Sequence, residues 1–300
     1  MRSSAERNFM KKLFVILLVL YLCSASALAA VVPLPMDDES AGFVPNEENL
    51  SEDHYQDESI EVTVKRDGQG AVHCFVVYIK VKDPSQLRTA MSGPYDSARP
   101  VPAKALNKKY MPVVSASGDF FKGNDYGYLV RQSKLYRERP DEKRDLLMID
   151  NKGNFHTLKE PGMDDINTYI AHLPGDVKIV NTFNFGPTLI KNGELQEITT
   201  HLYSANYKHM RVAIAQLDEL EYAIFLCEGI ATGTFGMTIN TFAKWIHEFE
   251  PRVKTAYNLD GGGSAHVYVM GNKLIGNPNP RTIYDIVYFA SASDALERVK

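Results

Sequence analysis

The run Asn258-Leu259-Asp260-Gly261-Gly262-Gly263-Ser264 constrains the fold more than any other stretch of the chain. Three consecutive glycines give up side chains and local order, at a cost in conformational entropy. A chain tolerates that where backbone turns sharply or lies against a ligand. The approach through Thr255, Ala256 and Tyr257 is strand-like, so the glycines fall at a strand end. Successive glycine N–H groups can form a concave nest that holds an anion. A carboxamide and a carboxylate precede the glycines, and a hydroxyl follows. The grouping points to a ligand that carries both hydroxyls and negative charge. A plain strand-to-strand turn explains the glycines alone equally well.

The N-terminus reads as a targeting segment. Arg2, Arg7, Lys11 and Lys12 precede an apolar run from Leu13 to about Cys23, and Ala27-Leu28-Ala29 supplies a small-x-small cleavage pattern. Residues 1–29 are therefore expected to be a secretory signal peptide. The protein would be secreted or extracytoplasmic, and membrane-anchored only through this segment if it stays uncleaved. Residues 30–59 are rich in Asp, Glu, Ser and Asn and read as a disordered acidic linker. A domain over 60–292 and a short tail over 293–300 complete the expected organisation. Net charge is −4, which gives no general attraction to nucleic acid or anionic membrane. Cys74 and Cys227 lie in apolar strand-like runs and are expected as buried free thiols.

Within the domain, Ile60, Val62 and Val64 alternate with polar residues. Asp67-Gly68-Gln69-Gly70 then turns the chain into a long strand over 71–82. A short helix is expected over 103–109. Strands are expected over 111–116, 127–136, 145–150 and 177–183. Hairpins are expected over 187–197 and 211–227, and strands again over 254–259, 265–270 and 283–290. Thr238 caps a helix whose Ile239, Phe242, Ala243 and Ile246 share one face, and Pro251 stops it. Helix and strand mix without a regular βαβ rhythm. The fold class is α+β: a single domain with a mixed, largely antiparallel sheet and a few flanking helices.

Several segments resemble one family in the same order along the chain. They include KDPSQLRTA at 82–90, SASGDFF at 115–121, GYLVRQSKLYR at 127–137 and FNFGPTLIKNGE at 183–194. RVAIAQ at 211–216, GMTINTFA at 236–243, NLDGGGSAHVYV at 258–269 and NPRTIYDIVYF at 279–289 continue the match. Over about residues 60–290 the chain resembles the phosphodiester glycosidase domain family of secreted bacterial proteins. The resemblance implies hydrolysis of a sugar joined through its anomeric carbon to a phosphodiester, on cell-wall or exopolysaccharide material. It carries the family's motifs onto Asp119, Arg211, Asn258, Asp260, Gly262, Ser264, Arg281 and Asp285. The implied partner is a glycosyl phosphate, polymeric in that setting.

Chemistry then divides the roles. The leaving group is already a phosphate ester, with a second pKa of about 6, so its protonation matters less than in an ordinary glycosidase. The demands are to neutralise phosphate charge and to stabilise an oxocarbenium-like sugar. Arg211 and Arg281 suit phosphate, because a guanidinium binds two oxygens at once. Asp260 is the first choice for the carboxylate near C1, with Asp119 or Glu228 as its partner. Asn258 would hold a sugar hydroxyl, Gly261, Gly262, Gly263 and Ser264 the anion, and Asp285 would brace Arg281. Carboxylates and phosphate together suit Ca²⁺ or Mg²⁺, although no cofactor is required by the pattern. Three positions depart from the family: Ser117 stands for a usual Asn, Gly229-Ile230 for a usual Gly-Arg pair, and Ala265 for a second hydroxyl. The alternative is a non-catalytic carbohydrate- or phosphopolymer-binding module on the same fold.

Overall fold

The computed structural model describes residues 30–38, 42–123, 125–199, 202–271 and 273–299; the expected signal peptide, 1–29, lies outside them. Alternation builds the principal sheet. In the strand Arg211–Asp218, Val212 and Ile214 enter one core while Ala213 and Ala215 enter another. In Glu221–Cys227, Tyr222, Ile224 and Leu226 share the first core, and Ala223, Phe225 and Cys227 the second. Both strands are therefore buried on two faces. They sit inside an eight-stranded sheet ordered His54–Gln56, Ile60–Gln69, Val72–Val81, Glu221–Cys227, Arg211–Asp218, Thr255–Asn258, Thr188–Lys191, Glu194–Leu195.

A five-stranded sheet faces it across the first core, in the order Lys273–Gly276, His266–Val269, Val114–Ser117, Asp285–Phe289, Leu87–Met91. Val114, Ala116, Val267, Val287 and Phe289 meet Val77, Val212, Ile224 and Leu226 there. Two smaller sheets, Ile179–Phe183 with Leu146–Asp150 and Phe155–Leu158, and the hairpin Gly127–Arg131/Lys134–Arg139, complete the strands among the described residues. Every pairing between these strands is antiparallel. The domain is α+β, as expected, with its strands spread over four sheets.

Among the described residues three α-helices cover outer faces: α1 (Ala103–Tyr110), α2 (Met163–Ala171) and α3 (Ile239–Phe249). The Thr238 hydroxyl caps α3 by accepting the Thr241 N–H. Its Ile239, Phe242, Ala243, Trp245 and Ile246 press on the second core, where Trp245 packs edge-on to Phe225. Burial of each large apolar side chain here contributes about 1.5–3 kcal/mol. Cys74 and Cys227 stand directly opposite each other on adjacent strands, as free buried thiols. Burial pushes the Cys227 thiol up to about 12, so it is inert at neutral pH.

Three expectations are corrected. The strand expected over 127–136 is a hairpin, because Gln132 and Ser133 both take left-handed backbone and reverse the chain. The acidic stretch 30–59 is not a linker. Tyr55 is fully buried in the first core, Leu34 and Phe43 pack with α1, and His54–Gln56 extends the principal sheet. The few apolar residues of the stretch are spaced to reach existing grooves, which average composition hides. The tail also packs: Ser293 bridges to Val31, and Arg298 to Phe43.

Loss of a core aromatic costs about 3–5 kcal/mol. Tyr55→Ala is predicted to lower the melting midpoint by roughly 2–4 °C for each kcal/mol lost, read by calorimetry. A free linker would give no change.

Candidate active site

The ends of the two large sheets meet at the glycine run. The strand Thr255–Asn258 leaves the principal sheet, the chain turns through Gly262–Ser264, and His266–Val269 enters the five-stranded sheet. Gly261 lies so close to the neighbouring strand that a Cβ there would sit 2.7 Å from the Met210 carbonyl oxygen. Gly262 has φ +55. The turn satisfies much of its own backbone: Gly262 N–H donates to the Met210 carbonyl, Ser264 N–H to Gly261 and Ala265 N–H to Gly262. Those N–H groups are not presented as a nest. The glycines serve close approach and turning.

His266 braces this turn. Its Nδ1 lies 2.6 Å from the Ser264 carbonyl oxygen, and full burial pushes its pKa down to about 4. The ring is neutral near pH 7 and Nδ1, facing an acceptor, carries the proton.

Asp260 follows the strand end and is almost completely buried. Its N–H donates to the Gly118 carbonyl at 3.0 Å, and the Ser117 hydroxyl donates to its carbonyl at 2.7 Å. The carboxylate receives Arg281 Nη2 at 3.0 and 3.3 Å. Arg281 Nε donates to the Ser264 hydroxyl at 2.5 Å, and its guanidinium lies over the Phe120 ring. Burial pushes the Asp260 pKa up, and the charge of Asp119 adds to the rise; Arg281 and Ser264 oppose it. The Arg281 side chain is 54% exposed, and its Nη1 makes no hydrogen bond among the described residues. A buried carboxylate is thus joined to a cation that faces solvent.

Behind this pair lies a second cluster, in which Asp119 and Asp285 meet an arginine that the sequence analysis does not single out. Arg131, at the end of Gly127–Arg131, is fully buried. Its Nη2 bridges Asp119 Oδ1 and Asp285 Oδ2, at 2.8 Å each. Its Nη1 donates to the Val130 and Thr182 carbonyls, and the guanidinium lies 4.8 Å from the centre of the Phe183 ring. The other Asp119 oxygen accepts the Asn184 N–H at 3.0 Å, and Asp285 accepts the Asp119 N–H at 3.2 Å. Gly118 makes room for this: a Cβ there would stand 2.3 Å from the Asp285 carboxyl. Burial and the negative Asp119 push the Asp285 carboxyl up to about 7, against the pull of Arg131. Asp285 is braced by Arg131, not by Arg281.

Ser117, Asp119, Asp260, Ser264, Arg281 and Asp285 therefore come together, with the glycine turn. Three expected residues do other work. Arg211 donates Nε to the Met237 carbonyl at 3.1 Å and Nη2 to the Ser204 and Tyr207 carbonyls at 2.9 and 2.7 Å, so it fastens two loops. Glu228 pairs with His73 Nδ1 at 3.0 Å. Asn258 is buried, its amide donates to the Gly186 carbonyl at 2.7 Å, and its Oδ1 has no partner. Among the described residues, no group of three or more His, Cys, Asp or Glu is arranged to hold a metal ion.

The sequence profile of the phosphodiester glycosidase family matches residues 110–290. No curated protein matches the chain. Among solved structures, the chain is similar to the catalytic domain of zebrafish N-acetylglucosamine-1-phosphodiester alpha-N-acetylglucosaminidase, auto-inhibited by its pro-peptide. That match has 18% identity and TM-score 0.59, and covers 84% of this chain and 87% of that one. A hypothetical protein from Synechocystis follows, at 15% identity and TM-score 0.53, covering 78% of this chain and 62% of that one. At these identities the likeness is one of fold.

Removing one partner of a buried ion pair costs about 3–5 kcal/mol. Arg131→Met is predicted to destabilise the domain by that order in denaturant unfolding. The raised Asp285 carboxyl gives a signed pH dependence. Its protonated form is favoured by folding, so its contribution is complete below its ordinary value of 3.8 and is lost as pH climbs through about 7. Asp285→Asn is predicted to reduce the loss of stability between pH 4 and 7, relative to wild type. Equal slopes for the two proteins would refute this.

Proposed function

The chain belongs to the phosphodiester glycosidase family, and we propose that it is an exported hydrolase of sugar-1-phosphodiesters, releasing free sugar and a phosphomonoester. The observation that carries the reading is the pair Asp260–Arg281. A carboxylate desolvated to raise its pKa stands beside a guanidinium with donors open to solvent. That is the asymmetry this reaction needs. Arg281 takes the phosphate and neutralises charge that grows as the C1–O bond breaks. Asp260 faces the anomeric carbon as nucleophile, or as the base that activates water.

Asp119 and its bridge to Arg131 serve the electrostatics. A fixed negative charge near Asp260 raises its proton affinity, and Arg131 keeps that charge buried and in place. Arg211 supports the reading through the loops it fastens. Glu228 has no part in the chemistry. Export is proposed on the signal-like N-terminal sequence, and cell-wall or exopolysaccharide phosphodiesters are the proposed natural substrates.

The test is sugar release from a synthetic N-acetylhexosamine-1-phosphodiester. Asp260→Asn is predicted to lose at least about 100-fold in kcat. Arg281→Ala should lose about 100- to 1,000-fold in kcat/KM, while Glu228→Gln stays within a few-fold of wild type. Near-wild-type rates for the first two would remove the assignment. Saturable binding without turnover would favour the binding module. Assays with Ca²⁺, Mg²⁺ or a chelator decide whether a cation takes part.

A further inference from the structure

Five large hydrophobic side chains stand exposed among the described residues, and the three most exposed lie on two adjoining loops. Tyr207, Ile230 and Phe235 are 70%, 76% and 70% exposed. They belong to two loops, 202–210 and 228–237, that the fold ties together. His209 and Met237 exchange backbone hydrogen bonds, and Arg211 donates to the Tyr207 and Met237 carbonyls. The tied loops abut the glycine turn. Gly262 N–H donates to the Met210 carbonyl, and Gly229 packs on Met210 so closely that a Cβ would fall 2.6 Å from its side chain. The apolar patch thus borders the turn that carries Asp260 and leads, through Ser264, to Arg281.

Ile230, next to the Gly229 that packs on Met210, presents an aliphatic side chain to solvent at this rim. A cation stands at these loops: Lys208 Nζ lies 5.9 Å from the centre of the Phe235 ring. Arg281 supplies a second cationic group on the other side of the turn. Charge for a phosphate with apolar surface beyond it is complementary to an amphiphile. Isolated exposed hydrophobics need no explanation, but three on two loops tied together beside a charged site mark a binding surface.

We infer that Tyr207, Ile230 and Phe235 form an aglycone subsite for an alkyl chain, so that the preferred substrate is a sugar-1-phosphodiester of a lipid-like alcohol. The inference rests on the proposed hydrolysis and names its substrate class. The sugar and phosphate lie at Asp260 and Arg281, and the alkyl group leaves across the patch as an alkyl phosphate.

The experiment compares the methyl and octyl phosphodiesters of one sugar, below the micellar concentration, with wild type and the double variant Ile230→Ser/Phe235→Ser. Burying two methylenes is worth about tenfold. Wild type is expected to prefer the octyl ester at least tenfold in kcat/KM. The double variant should lose that preference and keep its methyl-ester rate. Equal rates on both esters in wild type would overturn the inference, as would an unchanged octyl preference in the variant. If neither ester is cleaved, the hydrolysis reading has failed for that sugar, and binding still decides the subsite. Octyl phosphate should then bind wild type at least tenfold tighter than methyl phosphate, and the variant should show no such gain. Equal binding of the two phosphates to wild type would overturn the subsite on its own.

Discussion

One guanidinium organises the site. Arg131 is buried, and its Nη2 holds Asp119 and Asp285 together from a hairpin that belongs to neither of the large sheets. Without it two carboxylates would face each other in a low-dielectric interior, where like charges raise each other's proton affinity. With it, the loop after Val114–Ser117, the start of Asp285–Phe289 and the hairpin Gly127–Arg131/Lys134–Arg139 are fixed to one point. The Asp260 backbone is then placed by the Ser117 hydroxyl, which donates to its carbonyl, and by the Gly118 carbonyl, which accepts its N–H. The half-exposed Arg281 inherits its position from Asp260 and Ser264. The chain of dependence runs from a dry core outward to the one guanidinium of this cluster that meets solvent.

The glycines are the complement of that arrangement. Gly118 lets the Asp285 carboxyl lie against backbone, and Gly261 lets the turn lie against Met210. In both places the absent side chain makes room for a neighbour that carries part of the site. The turn also joins the two large sheets. Its conformation therefore belongs as much to the core as to the chemistry, and His266 holds it by a single bond to the Ser264 carbonyl.

Much of this was legible in the sequence, for reasons that differ by residue. Helix α3 carried a cap, a periodic face and a proline stop, so its limits followed from local chemistry. Asp119, Asp260, Arg281 and Asp285 were found because their motifs are distinctive in order and type. Arg131 was missed although it lies inside a segment that resembled the family. It falls within what reads as one strand over 127–136, where no local pattern marks a buried cation, and only three-dimensional closure buries it. The same hairpin was misread as one strand, since left-handed turns formed by Gln and Ser carry no glycine signal. Arg211 was assigned to phosphate on its residue type. The structure spends it on carbonyls, a use that no local pattern announces. The acidic N-terminal stretch misled by its average composition, while its isolated Tyr55 and Leu34 decided its packing.

The pairing of the first and last described segments has a mechanical consequence. Val31 bridges to Ser293, and Phe43 to Ser291 and Arg298, so the two ends of the domain leave from one another's side. Tension applied between them is met first by these short bridges, which open one at a time like a zip. The strand Asp285–Phe289, embedded between two neighbours, is loaded only afterwards. A domain held at one end to a surface, and pulled through whatever it grips, would therefore yield at its clasp before its cleft deforms.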